Sequence, residues 1–295
     1  MPVMQNISGS AGLRSTLKIA VYLGTILVLL MLVARFPQWP VGVAAALLLG
    51  LAYAHGLELQ HEALHAILLP TPRGNRLVGA LLGLPMLTTY TDTRLRHLHH
   101  HRFVGTTRDI YDRSCRDFAS SGAVIAHVLS AGRLRDFITT LGALAANRAD
   151  PILKGRAYAL ARNEFVITAI VMAALLAFAA AIDLRLVLWG WLVPALLVAP
   201  VIHFLMTSPE HVGRERASRD PARNSRTYPA SPLWNYLINY DNYHIEHHLR
   251  PTLPFWQLPA LHAARCRAGA PSCPNYVQAM REVFRGIGAC LQSRG

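Results

Sequence analysis

Four apolar runs, each about as long as a bilayer is thick, leave this chain few ways to fold. They are "LKIAVYLGTILVLLMLVAR" at 17–35, "VGVAAALLLGLAYAHGLEL" at 41–59, "FVITAIVMAALLAFAAAI" at 165–182 and "LVLWGWLVPALLVAPVIHFLM" at 186–206. In hydrocarbon every backbone N–H and C=O must be satisfied inside the segment, so such runs cross as helices. "FPQWP" and the turn around Asp183 and Arg185 are long enough only to reverse the chain. Two transmembrane hairpins are therefore predicted, with Pro194 and Pro200 bending the last helix. A weaker run at 77–89 is too short to cross comfortably, contains Gly79, Gly83 and Pro85, and follows the breaker "PTPRGN"; it reads as a re-entrant or interfacial helix.

Composition agrees: 53% of residues are hydrophobic and only 15% charged, where about 25% charged is ordinary for a soluble domain. The net charge of +13 comes from Arg scattered through polar segments, without a nucleic-acid-binding motif, so phospholipid headgroups are the expected anion and no nucleic acid is expected. Of the 29 Lys and Arg, 12 lie in 90–163 and 11 beyond 208, whereas the hairpin turns contain at most Arg35 and Arg185. The positive-inside rule then places both termini and the segments 90–163 and 208–295 in the cytoplasm, as a multi-pass protein of the inner membrane. No internal repeat or second domain is evident, so 1–295 reads as one domain. Cys115, Cys266, Cys273 and Cys290 show no C-x-x-C pairing and no cleavable signal precedes them, so reduced thiols are expected.

Nine of the fourteen His fall into four groups at or beyond the cytoplasmic helix ends: His61 and His65; His97, His100 and His101; His211; and His244, His247 and His248. "HLHHH" and "HIEHH" share the form H-x-x-H-H, a repetition that chance explains poorly. On a helix, positions i, i+3 and i+4 fall within an arc of about 100°, so each triplet aims three imidazoles at one point, while His99 faces away. Nine clustered imidazoles would repel one another if protonated and lack partners if buried; metal removes both difficulties.

"HEALH" at 61–65 also fits the H-E-x-x-H helix of zinc proteases, with Glu62 as general base. One tetrahedral zinc uses three or four side chains, however, and would leave most of the clustered His idle. Two six-coordinate ions would use all nine and keep positions open for water, a bridging oxygen or O2, which suits iron. Glu62, Asp109, Asp112, Glu210 and Glu246 are candidates for orienting a ligand His through its other ring nitrogen. The lone His55, His127, His203 and His262 read as hydrogen-bonded or exposed side chains. The remaining alternative outside enzymes is a non-catalytic metal-binding or receptor protein.

At these residues the chain resembles the integral-membrane fatty acid desaturase and hydroxylase superfamily, whose three histidine boxes are matched by "HEALH", "HLHHH" and "HIEHH". The surrounding "HHHRFVGTTRD" and "NSRTYPASPLWNYLINYDNYHIEHHLRPTLPFWQLPALH" are similar to bacterial members, and the likeness runs over about residues 40–262. The resemblance implies four transmembrane helices under a helical cytoplasmic cap that holds a di-iron centre. Its ligands would be His61, His65, His97, His100, His101, His244, His247 and His248, with His211 of "TSPEH" as the ninth. It further implies O2-dependent desaturation of a fatty acyl chain or similarly lipophilic substrate. Hydroxylation, or modification of a carotenoid or of an amino-acid-derived natural product such as rhizobitoxine, are the alternatives. Electrons would come from a separate ferredoxin or cytochrome b5-like donor, because no fused module fits in the chain, and the Arg-rich face suits an acidic partner. Thr207 stands where the acyl-CoA branch has Asn, which implies a place outside that branch.

Overall fold

The computed structural model describes residues 9–111 and 118–292. Asp112 and Cys115 lie outside them. The helices are α1 (Gly9–Arg35), α2 (Trp39–Leu64), α3 (Pro72–Gly83), α4 (Tyr90–Phe103), α5 (Ser121–Val128), α6 (Arg133–Ala145), α7 (Gly155–Ile182), α8 (Leu184–His211), α9 (His244–Leu249), α10 (Leu258–Arg267) and α11 (Tyr276–Gln292). Shorter helical turns occupy Pro221–Asn224 and Pro232–Leu237. Among the described residues the only β pairing is an isolated bridge, Thr227 to Tyr243, so the chain is all-α as expected.

The chain folds as two compact units, Met1–Leu95 with Gly132–Pro200, and Arg96–Ala131 with Val201–Gly295. The first contains most of the membrane-spanning helix. Gly12–Arg35, Trp39–Leu64, Gly155–Ile182 and Leu184–His211 are each long and apolar enough to cross a bilayer. Their outward faces are apolar, with Leu17, Val21, Val28, Ile170 and Phe178 all exposed, as contact with acyl chains requires. These helices extend beyond the apolar runs that announced them, α2 to Leu64 and α8 to His211. Hydropathy falls where polar residues begin, but helical hydrogen bonding continues through them.

Packing in this unit depends on close approach. A Cβ on Gly50 would stand 2.4 Å from Val198 Cγ1, and one on Gly56 would stand 2.5 Å from the Tyr22 hydroxyl oxygen, so α2 meets α8 and α1 through small residues. Ile19, Tyr22, Leu59, Ala63, Leu68 and Leu82 close the core among α1, α2 and α3. α8 contains Pro194, Pro200 and Pro209, and Leu188–Leu192 and Pro194–Val198 form wide π turns, which accommodate a ring that can neither donate nor fit the α-helical ladder. The Tyr53 hydroxyl donates to the Gly190 carbonyl in the first of these turns (2.6 Å).

The weak run at 77–89 belongs to a helix that begins earlier. Pro72 opens α3, and the Thr71 hydroxyl caps it by accepting from Gly74 N. The Asn75 amide donates to Leu69 O (2.6 Å) and Thr71 O (2.8 Å), tying down the turn that follows "HEALH". Glu164 of α7 accepts from Arg76 Nε (2.9 Å), Thr91 N (2.6 Å) and Thr91 Oγ1 (2.8 Å). A carboxylate on the Thr91 backbone N–H, in the first turn of α4, matches the positive end of that helix.

In the second unit, Phe118, Phe204, Val212, Met280, Val283 and Ile287 form the core beneath α11. The buried Arg226 guanidinium pairs with Glu282 (2.8 Å) and donates to the carbonyls of Pro209 and Val212, satisfying acceptors that the end of α8 leaves open. Cys266 and Cys273 are free thiols, but Cys290 is disulfide-bonded. The expectation of reduced thiols is thereby corrected for Cys290, since a disulfide depends on proximity in space and its spacing in the sequence carried no signal.

Candidate metal centre

The second unit brings together three of the four histidine groups. His97, His100 and His101 come from α4, His211 from the end of α8, and His244, His247 and His248 from α9. Within the α4 triplet, His97 and His101 have their Nε2 atoms 2.9 Å apart, and His247 Nε2 lies 3.1 Å from that of His101. His100, His211 and His248 form a second set whose ligand atoms all lie within 4.8 Å of one another. His248 Nε2 also lies 3.1 Å from that of His244. His61 and His65 lie in the first unit at the end of α2, their rings 5.0 Å apart and edge-on.

Three of the rings have their outer nitrogen committed. His100 Nδ1 donates to the Asp109 carboxylate (2.9 Å), His244 Nδ1 to Asp241 Oδ1 (3.1 Å), and His211 Nδ1 to the Asn224 carbonyl (2.9 Å). A neutral imidazole has one N–H, so each of these rings presents a bare lone pair at Nε2. Yet His211 Nε2 stands 3.3 Å from His100 Nε2 and 3.0 Å from His244 Nε2. While the three Nδ1 bonds are kept, no neutral tautomer turns those approaches into hydrogen bonds. Lone pairs that face each other at this distance need a cation between or beside them, and an all-imidazole donor set bordered by carboxylates is what a first-row transition metal accepts. The residues therefore fit a metal site.

The electrostatics point the same way. Burial first, then the neighbouring rings of His101, His244, His211 and His100, hold the His248 imidazole well below the usual histidine range. It stays neutral and keeps its lone pair available. Glu210 Oε2 lies 3.7 Å from His244 Nε2, and Glu210, Asp241 and His244 make a third group of potential ligands.

The carboxylates named from sequence separate in space. Asp109 is the clearest orienting group, with a side chain only 4% exposed and an extra bond from Tyr111 N (3.0 Å). Glu246 is fully buried, but its oxygens receive Thr227 Oγ1 (2.6 Å), His262 Nδ1 (2.9 Å) and Arg265. Glu62 is buried near the end of α2. His99 bonds to the Arg108 carbonyl (2.9 Å) and packs on Phe103, away from the convergence, as the helical arc predicts.

Sequence reasoning missed Asp241, the Asn224 carbonyl and Arg226. Asp241 had a readable signal, a carboxylate three residues before "HIEHH", where it can cap the first ring of that box. The Asn224 carbonyl had none, because a main-chain acceptor has no residue type. The Thr207 hydroxyl donates back to the His203 carbonyl (3.0 Å).

Residues 37–284 match the protein family described as fatty acid desaturase. No curated protein matches the chain. The family match covers most of the sequence and contains every histidine of the three boxes and His211, so the chain belongs to that family and is a membrane oxidoreductase of the desaturase and hydroxylase type with a His-rich, metal-binding cluster.

Proposed function

We propose that this member of the fatty acid desaturase family is an O2-dependent di-iron desaturase that introduces a carbon–carbon double bond into a fatty acyl chain or similarly lipophilic substrate. The observation that supports it best is the convergence of bare Nε2 lone pairs on His100, His211 and His244, with Asp109, Asn224 and Asp241 holding the outer nitrogens.

The proposed ligands are His61, His65, His97, His100, His101, His211, His244, His247 and His248, acting within one desaturase domain. When bound, the iron pair supplies O2 activation and removal of hydrogen from an unactivated C–H bond. The protein's own part is to fix the ring planes, keep the His248 imidazole neutral and exclude stray water. Asp109 and Asp241 accept from Nδ1 of His100 and His244 and lock the tautomer, while Arg226 fixes the helix end that carries His211. Two electrons per turnover come from a ferredoxin or cytochrome b5-like partner, whose acidic face the Arg-rich polar segments suit. The protein is assigned to the inner membrane, with both termini and the histidine boxes on the cytoplasmic side.

The test is elemental analysis of detergent-purified protein, with Mössbauer spectra of iron-57-grown material and profiling of lipids made with and without the protein. Two iron atoms per chain with a coupled high-spin signature, and a new double bond, are expected. An oxygenated product with the same iron content would move the reading to hydroxylation. One zinc per chain, persisting in excess iron, would overturn it and return "HEALH" to the protease reading.

A further inference from the structure

A second set of reactive side chains lies on α10, outside the metal centre. Cys266 is an exposed free thiol, and its Sγ stands 3.5 Å from His262 Nε2, one helical turn back on the same face. His262 Nδ1 donates to Glu246 Oε1 (2.9 Å), and Arg265 donates to the same oxygen. With Nδ1 committed as donor, the tautomer of His262 that has one N–H presents its Nε2 lone pair to the thiol. The arrangement is a nucleophile, a base and a carboxylate that orients the base.

A second thiol, Cys273, follows seven residues later. After Arg267 the chain reverses at Gly269, whose φ is +89°, with Ala268 N and Ala270 N bonding back to Arg265 O (3.1 and 3.0 Å). The turn returns Cys273 to within electrostatic reach of Cys266, Glu246 and Arg265; burial first, then Glu246 and Cys266, pushes the Cys273 thiol up. One thiol is thus exposed and set against a base, and the other, past the chain reversal, is held protonated.

We propose that Cys266, His262 and Glu246 form an activated-thiol site that reacts with a hydroperoxide and then closes a disulfide with Cys273. His262 Nε2 takes the Cys266 proton, and the thiolate attacks the terminal peroxide oxygen. The O–O bond breaks, the sulfur becomes a sulfenic acid, and the departing oxygen leaves as alcohol or water with the proton from His262. The Cys273 thiol then attacks the sulfenic sulfur. The S–S bond forms, the S–O bond breaks, and the hydroxide leaves as water with the Cys273 proton. Two thiols lose two electrons and one peroxide gains them. The steps need no metal, although Glu246 lies between His244 and His247 of the third box.

The test uses the full chain in detergent, hydrogen peroxide as probe, and peptide mass mapping. In reduced protein Cys266 should alkylate roughly tenfold faster than Cys273, and His262→Gln should slow it by about that factor. Peroxide should link Cys266 to Cys273. In Cys273→Ser, which leaves the triad intact, oxidation should stop at a sulfenic acid on Cys266 that a cyclic-dione probe traps. An unchanged Cys266 rate in His262→Gln, or no trapped sulfenic acid in folded Cys273→Ser, overturns the proposal.

Discussion

The Nε2 atom of His211 stands 3.0 Å from that of His244, although both rings have already given their Nδ1 proton to another acceptor, the Asn224 carbonyl and the Asp241 carboxylate. Two nitrogens that can only accept are held face to face by the folded chain. Metal is the economical resolution, and it makes the roles of neighbouring residues separable by experiment.

His99 and His100 are adjacent in sequence but opposite in consequence. His99→Ala removes a bond to the Arg108 carbonyl, and metal content and turnover should stay near wild type. His100→Ala removes one of the converging Nε2 atoms and should lose both. Equal losses in the two variants, measured by elemental analysis of purified protein, would sink the helical-face assignment.

Asp109→Asn and Asp241→Asn keep the side-chain size but replace a charged acceptor on His100 and His244. Each should weaken metal binding about 10- to 100-fold, read by competition with a chelator. Unchanged affinity in both would show that these carboxylates do not orient the rings.

Glu62 is buried near the end of α2. If it serves the neighbouring ligands, Glu62→Gln should retain turnover reduced about 10- to 100-fold. Complete loss with metal fully retained would instead indicate a direct chemical role.

Packing between α2 and α8 should show in stability. Gly50→Ala places a methyl 2.4 Å from Val198 Cγ1, whereas Gly24 has nothing within 4 Å. The first substitution should cost about 1–3 kcal/mol and lower the midpoint of thermal unfolding in detergent, while Gly24→Ala should not lower it. Equal midpoints would contradict the close approach.

The depressed His248 sets a pH dependence for metal-free protein. The unfolded chain protonates this ring near 6.5, while the folded chain resists protonation to well below that value. The unfolded state therefore binds more protons as pH falls, and folding stability should be full above about 6.5 and decline below it. A thermal midpoint of apo-protein that is flat from pH 7.5 to 5 would refute this.

The sequence announced the parts of this molecule that are periodic. Hydropathy marked four spanning helices, and the i, i+3, i+4 spacing assigned His97, His100 and His101 to one face and His99 to the other, because helical geometry converts spacing directly into direction. What it did not announce depends on contacts between distant residues. Asp109 and Glu246 looked alike as candidates, yet one holds His100 and the other is taken by Thr227, His262 and Arg265. The Arg226 clamp on Pro209 and Val212 joins residues with no local pattern. The Cys290 disulfide left no trace in spacing.

The wide turns of α8 have a consequence for how this helix keeps time. Its exposed leucines fall at 184, 188, 192 and 197, two steps of four followed by one of five, so the apolar stripe slips by one position across Pro194. A residue inserted into an α-helix turns everything after it by about 100°, and His211 lies after the slip. Deleting one residue from 194–198 would keep the span hydrophobic and nearly as long, and would restore the stripe's step of four. The face this span turns to the lipid is thus set by a clock that runs on length and is blind to chemistry.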